Sequence, residues 1–520
     1  MKGANWLLAS LVGLGLLASQ EAAPAVTQPI VQTRDGALAG LVVDGVDLFR
    51  GIPFAQPPVG DLRWRPPQPV MAWSGVRDAT QWGHICMQPP PQDPRAVGAT
   101  TPNEDCLTLN VWAPEGARSQ RLPVMVWIHG GGFVLGSGIG AQSDGSALAR
   151  QGVIVVSLNY RLGKLGFFAH PALTAESHGG DLANYGLMDQ IAALKWVRDN
   201  IAAFGGDPQN VTIFGGSAGG ESVLALMTSP AAHGLFQKAI CQSGPARDRA
   251  QTLTEAEAAG VSLAARWGVK DASVQALRAV PAERILADSA DANVATMSGE
   301  MPLIDGRILP SQIVRTFEAG GEAPVPLVIG TTDYELPPQV VPPQLQARVR
   351  PYAVAGPVLN RLYPSEAAYA HYLSDAIFAE PARYLASLHA RHAPTFRYRF
   401  SAFPDALRAL GFTGAVHSTE GGYVFKTFSA SAWPMTDADQ ALAEQVSAYW
   451  VAFAKTGDPN HAGLPTWPRA GGAEILNFTH QGPAPMHDDR EALLVGLSEA
   501  YAHGDLPLVM GVDAKAATAR

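Results

Sequence analysis

Five short runs of apolar residues punctuate the chain, at 123–128, 152–157, 210–214, 238–243 and 325–330, each rich in β-branched residues and bounded by glycine or polar positions. A strand that buries one face alternates apolar and polar residues, whereas a strand covered on both faces does not. Continuous runs therefore predict a mostly parallel central sheet. Between the runs, residues 189–200 carry Ile191, Leu194, Trp196 and Val197 at helical spacing. This alternation predicts an α/β architecture with helices on both faces of the sheet. Residues 395–400 alternate strictly, which predicts a half-exposed strand, and the Ala-rich stretch 250–290 predicts surface helices. No repeat, long linker or low-complexity block interrupts the pattern. Residues 24–520 are expected to form one domain whose long inserted loops, from about 280 to 430, wall a pocket.

The first residues follow different rules. Met1-Lys2 precedes an uncharged run whose apolar core, 6–18, has the length of a signal-peptide core, and the small residues Ala22, Ala23 and Ala25 follow it. Residues 1–23 are expected to be a signal peptide, which makes the protein secreted or periplasmic. No cysteine follows the run to carry a lipid, and no other stretch reaches the ~20 apolar residues of a spanning helix, so no stable membrane anchor is expected. The 520 residues carry a net charge of −9, which supplies no basic field for a phosphate backbone and excludes nucleic acid as a partner. Of the three cysteines, Cys86 and Cys106 bracket a proline-bearing loop, while Cys241 lies in an apolar run and reads as a packed thiol. None has zinc-ligand spacing, so no metal is expected.

Candidate chemistry begins at Phe214-Gly215-Gly216-Ser217-Ala218-Gly219-Gly220, which follows a strand and opens an apolar helical run. That is the setting of a nucleophile elbow, a tight turn whose flanking glycines remove clashes and whose serine hydroxyl projects above the sheet. Upstream, the strand at 123–128 runs into His129-Gly130-Gly131-Gly132-Phe133. Acyl transfer passes through a tetrahedral oxyanion that needs preorganised N–H donors, and a glycine run brings backbone amides close. Gly131, Gly132 and Ala218 are the candidate donors. No Gly-Lys-Ser/Thr follows the glycines, so a nucleotide cofactor is not expected. His129 is read as positioning the glycine loop. In hydrolases with this elbow the acid and then the histidine follow the serine in the chain. Glu335 and Asp333, just after the apolar run at 325–330, both qualify as the acid. His417 is one of 13 histidines.

The chain resembles the type B carboxylesterase family, the cholinesterase-like branch of the α/β-hydrolases. The resemblance is carried by Phe49-Arg-Gly-Ile-Pro-Phe-Ala-Gln-Pro-Pro-Val-Gly60, Asn103-Glu-Asp-Cys106-Leu-Thr-Leu-Asn110, Trp127-Ile-His-Gly-Gly-Gly-Phe133 and Asn159-Tyr-Arg-Leu-Gly163. It continues through Gly186-Leu-Met-Asp-Gln190, Phe204-Gly-Gly-Asp-Pro208, the serine elbow, Gln242-Ser-Gly244, Asp305-Gly306, His417 with Glu420, and Phe453-Ala-Lys-Thr-Gly-Asp-Pro-Asn460. It implies the α/β-hydrolase fold, with Ser217 as nucleophile, His417 as general base and acid, and Glu335 as the orienting carboxylate. It also implies Gly131, Gly132 and Ala218 as the oxyanion hole, a Cys86–Cys106 disulfide, and a small-molecule ester as the partner of a monomer or homodimer.

This sequence departs from the family in three places. Gly216 stands where the family has a glutamate, which removes a carboxylate from the surroundings of Ser243 and Glu420. The acid segment reads Asp333-Tyr-Glu335-Leu-Pro where the family prefers Asp-Glu-Gly. The loop from Cys86 to Cys106 contains no aromatic residue, whereas cholinesterases place an indole there to hold quaternary ammonium, so choline esters are not expected as substrates. A non-catalytic adhesion domain of the same family is the rival reading, disfavoured because such domains lose the nucleophile. Thioester or amide cleavage and transesterification would use the same three side chains.

Overall fold

The apolar runs lie side by side in a computed structural model that describes residues 28–89, 100–140, 143–247, 250–269, 273–290, 300–341, 343–346, 349, 351–428 and 434–509. The expected signal peptide falls outside the described residues. An 11-stranded sheet forms the centre. Its strands are β1 (Leu41–Val43), β2 (Val46–Pro53), β3 (Thr108–Pro114), β4 (Leu122–Ile128), β5 (Ile154–Leu158), β6 (Gly206–Gly216), β7 (Lys238–Gln242), β8 (Leu327–Thr332), β9 (Thr395–Phe400), β10 (Glu474–Thr479) and β11 (Gly482–His487). Their spatial order is β11-β10-β9-β8-β7-β6-β4-β5-β3-β2-β1. From β5 through β10 every neighbour runs parallel. Antiparallel strands finish both edges. This is the α/β-hydrolase fold.

Each central strand sends alternate side chains to opposite faces. Val124, Val126 and Ile128 of β4 join Val211 and Ile213 of β6 in one core, with Leu187, Ile191 and Leu194 of helix α1 (Tyr185–Asn200) and Val223 and Leu224 of α2 (Ala218–Thr228). Helix α3 (Glu380–His389) packs on the same face through Leu385 and Ala386. Met125 and Phe214 point the other way, into a second core with α4 (Glu420–Phe425) and α5 (Asp437–Thr456). Thr436 and Asp439 form a capping box at the start of α5, and Gly457 ends it in the left-handed conformation. Helix α6 (Glu491–His503) packs on α3. The 250–290 stretch is helical, as expected, over Leu253–Arg266, Val274–Arg278 and Ala282–Ala290.

Two expectations are corrected. Strand β9 is not half exposed: it lies between β8 and β10, and only Arg399 escapes full burial. Phe396, Tyr398 and Phe400 fill the second core, while Arg397 and Arg399 on the opposite face both pair with Asp488, and Arg397 also reaches Glu491. Alternation was read as exposure, but a charged residue can alternate into a buried ion-pair network. The second correction concerns 280–430, which is not mainly loop. It holds β8, β9, α3, α4 and several short helices, among them Ile313–Glu318 and Pro357–Leu362. Short helices without a strong apolar period leave little trace in sequence.

Cys86 and Cys106 form a disulfide, and Cys241 is a free, buried thiol. The disulfide closes a loop with a sequence separation of 20, worth about 3 kcal/mol on the chain-entropy account. Reduction should therefore lower the melting temperature by a few degrees, measured by scanning calorimetry with and without a thiol reductant. An unchanged transition would mean that the crosslink contributes nothing to stability.

Candidate active site

Strand β6 ends at Gly216 and α2 begins at Ala218, which leaves one residue for the turn. Ser217 takes φ 58° and ψ −127°, a strained conformation for a residue with a side chain. Its N–H donates to the Gln242 carbonyl at the end of β7 (2.8 Å), and its carbonyl accepts from Glu221 in the first turn of α2 (2.9 Å). Neighbouring backbones close on this turn. A Cβ at Gly219 would stand 2.0 Å from the Ile128 carbonyl oxygen, and one at Gly215 would stand 2.4 Å from the carbonyl of Gly219. Gly216 is different. It lacks the positive φ, and a Cβ there would meet nothing nearer than the Trp127 ring at 3.5 Å. Glycine at 215 and 219 is sterically required; at 216 it is not.

The glycine loop leaves β4 directly over this turn. A Cβ at Gly130 would lie 3.0 Å from the Ser217 Cβ. Gly131 (φ 108°) and Gly132 (φ 62°) take conformations that favour glycine. Among the described residues, the amides of Gly131, Gly132 and Ala218 donate to no acceptor. For Ala218 this follows from its place in the first turn of a helix, where N–H groups have no intrahelical partner. The loop is braced from below. His129 donates from Nδ1 to the Gly130 carbonyl (2.8 Å), stacks on Tyr160, and accepts the Tyr160 hydroxyl at its own carbonyl (2.9 Å). Burial pushes the His129 imidazole down to about 4, so it is neutral at physiological pH. The Asn159–Gly163 segment is itself anchored by Arg161, which grips the buried Asp189 through both carboxylate oxygens at 2.7 and 2.8 Å.

Three residues beyond the C-terminal end of β8, Glu335 is fully buried. Its Oε1 accepts from the Thr332 N–H (2.8 Å) and the Ser243 hydroxyl (2.5 Å), and its Oε2 lies 2.6 Å from His417 Nδ1. The His417 backbone N–H donates to the Glu335 backbone carbonyl (3.0 Å), so the two segments are joined through both backbone and side chains. Asp333 does not reach the imidazole. Its Oδ1 instead accepts from the Ala415 N–H at 2.7 Å. Ser217 stands beside this pair through the Gln242–Ser243 segment, but no Ser217–His417 hydrogen bond is present among the described residues. Phe378 packs on the His417 ring at 4.8 Å.

A second buried carboxylate completes the electrostatics. Glu420 Oε1 lies 3.4 Å from Ser243 Oγ and 3.5 Å from the Tyr398 hydroxyl. A hydroxyl has one hydrogen, and Ser243 gives its own to Glu335. Burial, and then the nearby Glu335 charge, push the Glu420 carboxyl upward toward its neutral form. His417 feels the opposite balance. Burial disfavours its charged form, but Glu335 outweighs burial and Glu420 adds to it, so the imidazole is held above 6.5. Sequence reading missed Phe378, Tyr398 and the Arg161–Asp189 pair as parts of this site. The matched Asn159–Gly163 and Gly186–Gln190 motifs were the available signal for the pair.

A family model described as the carboxylesterase family matches residues 27–341 and 360–489. The para-nitrobenzyl esterase of Bacillus subtilis (strain 168) is 40% identical over 469 residues, covering 85% of this chain and 93% of the relative. The fumonisin B1 esterase of Sphingopyxis macrogoltabida is 39% identical over 476 residues, covering 86% of each. A solved PNB esterase superposes with a TM-score of 0.80 at 36% identity, covering 91% of this chain and 99% of its own.

Two predictions follow from the geometry. Gly216→Ala should leave the melting temperature within about 1 °C of wild type, whereas Gly219→Ala should destabilise by roughly 3 kcal/mol or more, because backbone must shift. Thermal unfolding of the pair checks this, and equal losses would refute the steric distinction. Glu335→Gln should lower the His417 pKa, since burial then acts with less opposition, while Asp333→Asn should leave it nearly unchanged. Imidazole titration by NMR reads both.

Proposed function

The chain belongs to the carboxylesterase family and hydrolyses carboxylic esters, and on that premise we propose that it does so through Ser217, His417 and Glu335 by way of an acyl-enzyme. The observation that carries this reading is the 2.6 Å contact between His417 Nδ1 and the fully buried Glu335 carboxylate, beside a strained Ser217. Glu335 holds the imidazole with its proton on Nδ1, leaving Nε2 free to act as base. Ser217 Oγ attacks the ester carbonyl carbon as His417 Nε2 takes the hydroxyl proton. The carbonyl π electrons move onto oxygen, and the amides of Gly131, Gly132 and Ala218 hold that oxyanion. Collapse breaks the C–O bond to the alcohol, which leaves with the proton from His417. Water, deprotonated in turn by His417, attacks the acyl carbon; the bond to Ser217 Oγ breaks, Oγ takes the proton back from His417, and the acid is released.

The absence of an aromatic residue between Cys86 and Cys106 disfavours choline esters. Esters of uncharged alcohols, the class to which para-nitrobenzyl esters belong, fit the reading better. The Cys86–Cys106 disulfide supports export to an oxidising compartment. Among the described residues no helix is long and apolar enough to cross a membrane.

The test is hydrolysis of p-nitrophenyl esters from acetate to octanoate, wild type beside Ser217→Ala. The variant should lose at least about 1000-fold in kcat with unchanged thermal unfolding, and retained turnover would remove Ser217 from its role. Because His417 must be neutral to accept the proton and its pKa is raised, kcat/KM should climb with pH through a midpoint above 6.5. A profile flat from about pH 5 to 9 would sink His417 as the base.

A further inference from the structure

A second cluster lies at the opposite end of the sheet. Glu322 sits in the segment before β8, on the N-terminal side of that strand, while Glu335 follows its C-terminal end. A strand of this length separates the two by roughly 20 Å. His389 is the last residue of α3, and His392 follows one turn later on the same face. His389 Nδ1 lies 2.7 Å from Glu322 Oε1, and His392 Nε2 lies 2.8 Å from the same oxygen. All three ligand atoms fall within 4.8 Å of one another. The other ring nitrogen of His389, Nε2, is 2.8 Å from the Val325 carbonyl.

That last contact decides the tautomer. A carbonyl only accepts, so His389 Nε2 carries its hydrogen, and the lone pair of a neutral ring then sits on Nδ1, facing a carboxylate oxygen. A lone pair against a carboxylate at 2.7 Å needs something positive between them, either a proton or a metal cation. The Glu322 side chain is fully buried, and its second oxygen, Oε2, has no hydrogen-bond partner among the described residues. Protons shared with the two imidazoles would satisfy Oε1 alone and leave Oε2 stranded. A cation held by both carboxylate oxygens would satisfy the two together. The carbonyl end of α3 adds a field that favours positive charge.

We propose that Glu322, His389 and His392 form a binding site for one borderline divalent cation of the Zn²⁺ type, which ties the end of α3 to the segment entering β8. Two imidazoles and a carboxylate are the donor set such ions select over Mg²⁺ or Ca²⁺. The hydrogen bond from His389 Nε2 to Val325 is the kind of outer contact that fixes a ligating ring. The His392 side chain is 33% exposed, which gives the ion a path from solvent and leaves a coordination position for water. The site is distant from Ser217, so its role is to stabilise the fold rather than to enter the hydrolysis.

The test uses the full mature chain, freed of metal by chelator, titrated with Zn²⁺ by calorimetry and with Co²⁺ by visible absorption. Wild type should bind one ion per chain, and excess Zn²⁺ should raise the melting temperature by several degrees. Binding should weaken at least about tenfold from pH 7.5 to 5.5, because the ligands must lose protons. His392→Asn removes the solvent-facing ligand and leaves the buried His389–Glu322 contact, so it should fold while binding at least about tenfold more weakly and losing the thermal shift. No binding by wild type, or equal binding by wild type and His392→Asn, would overturn the site and leave a proton-bridged ion pair in its place.

Discussion

Close backbone packing at the end of β6 is the constraint on which the rest depends. Strand, turn and helix must fit against the carbonyls of Ile128 and Gln242, and at Gly219 a single methyl group would come within 2.0 Å of Ile128. The same tightness holds Ser217 in its strained turn and brings Gly130 against the serine. A looser junction would relieve the strain. Strain at one residue is sustainable here because seven parallel strands and two apolar cores overdetermine the positions of its neighbours.

Around that junction the electrostatics are arranged by burial. Two carboxylates, Glu335 and Glu420, lie in low dielectric on either side of the Ser243 hydroxyl. Two anions there would repel strongly, and a hydroxyl can satisfy only one. Glu335 takes the better share, with the Thr332 amide, Ser243 and His417 all directed at it. Glu420 has weaker partners, among them the Tyr398 hydroxyl and the Gln242 side chain, and burial drives it toward its neutral form. The family resemblance would place another carboxylate at 216, where this chain has glycine. Its absence leaves less buried negative charge and open space against Trp127.

Strand β8 links the two ends of the molecule. Its C-terminal end delivers Glu335 to the imidazole, and its N-terminal end follows Glu322 and the two histidines of the α3 terminus. Parallel strands gather reactive loops at one end of a sheet and leave the other end to structural tasks, and here each end has a carboxylate–histidine pair. The chemistry differs because of what surrounds each pair. At one end a half-buried His417 lies near the strained turn of Ser217; at the other, a fully buried His389 is pinned on both ring nitrogens.

The features legible from sequence alone are those whose cause is local. Continuous apolar runs announced doubly covered strands, and glycines flanking Ser217 announced a turn too tight for side chains, because both properties belong to consecutive residues. Resemblance supplied the pairing of Cys86 with Cys106 and the choice of His417 among thirteen histidines, which spacing could not. Tertiary structure decided the rest. Asp333 and Glu335 are two residues apart and chemically alike; only the folded chain commits Asp333 to the Ala415 amide and turns Glu335 toward the imidazole. The arginines of β9 read as solvent-facing until their partners arrive from Asp488 and Glu491, and the three-residue spacing of His389 and His392 is silent until Glu322, 67 residues before His389, meets it. Local sequence specifies which conformations a segment can adopt. Which distant charge lies opposite a given side chain is settled only when the sheet closes and brings remote segments within a few ångströms.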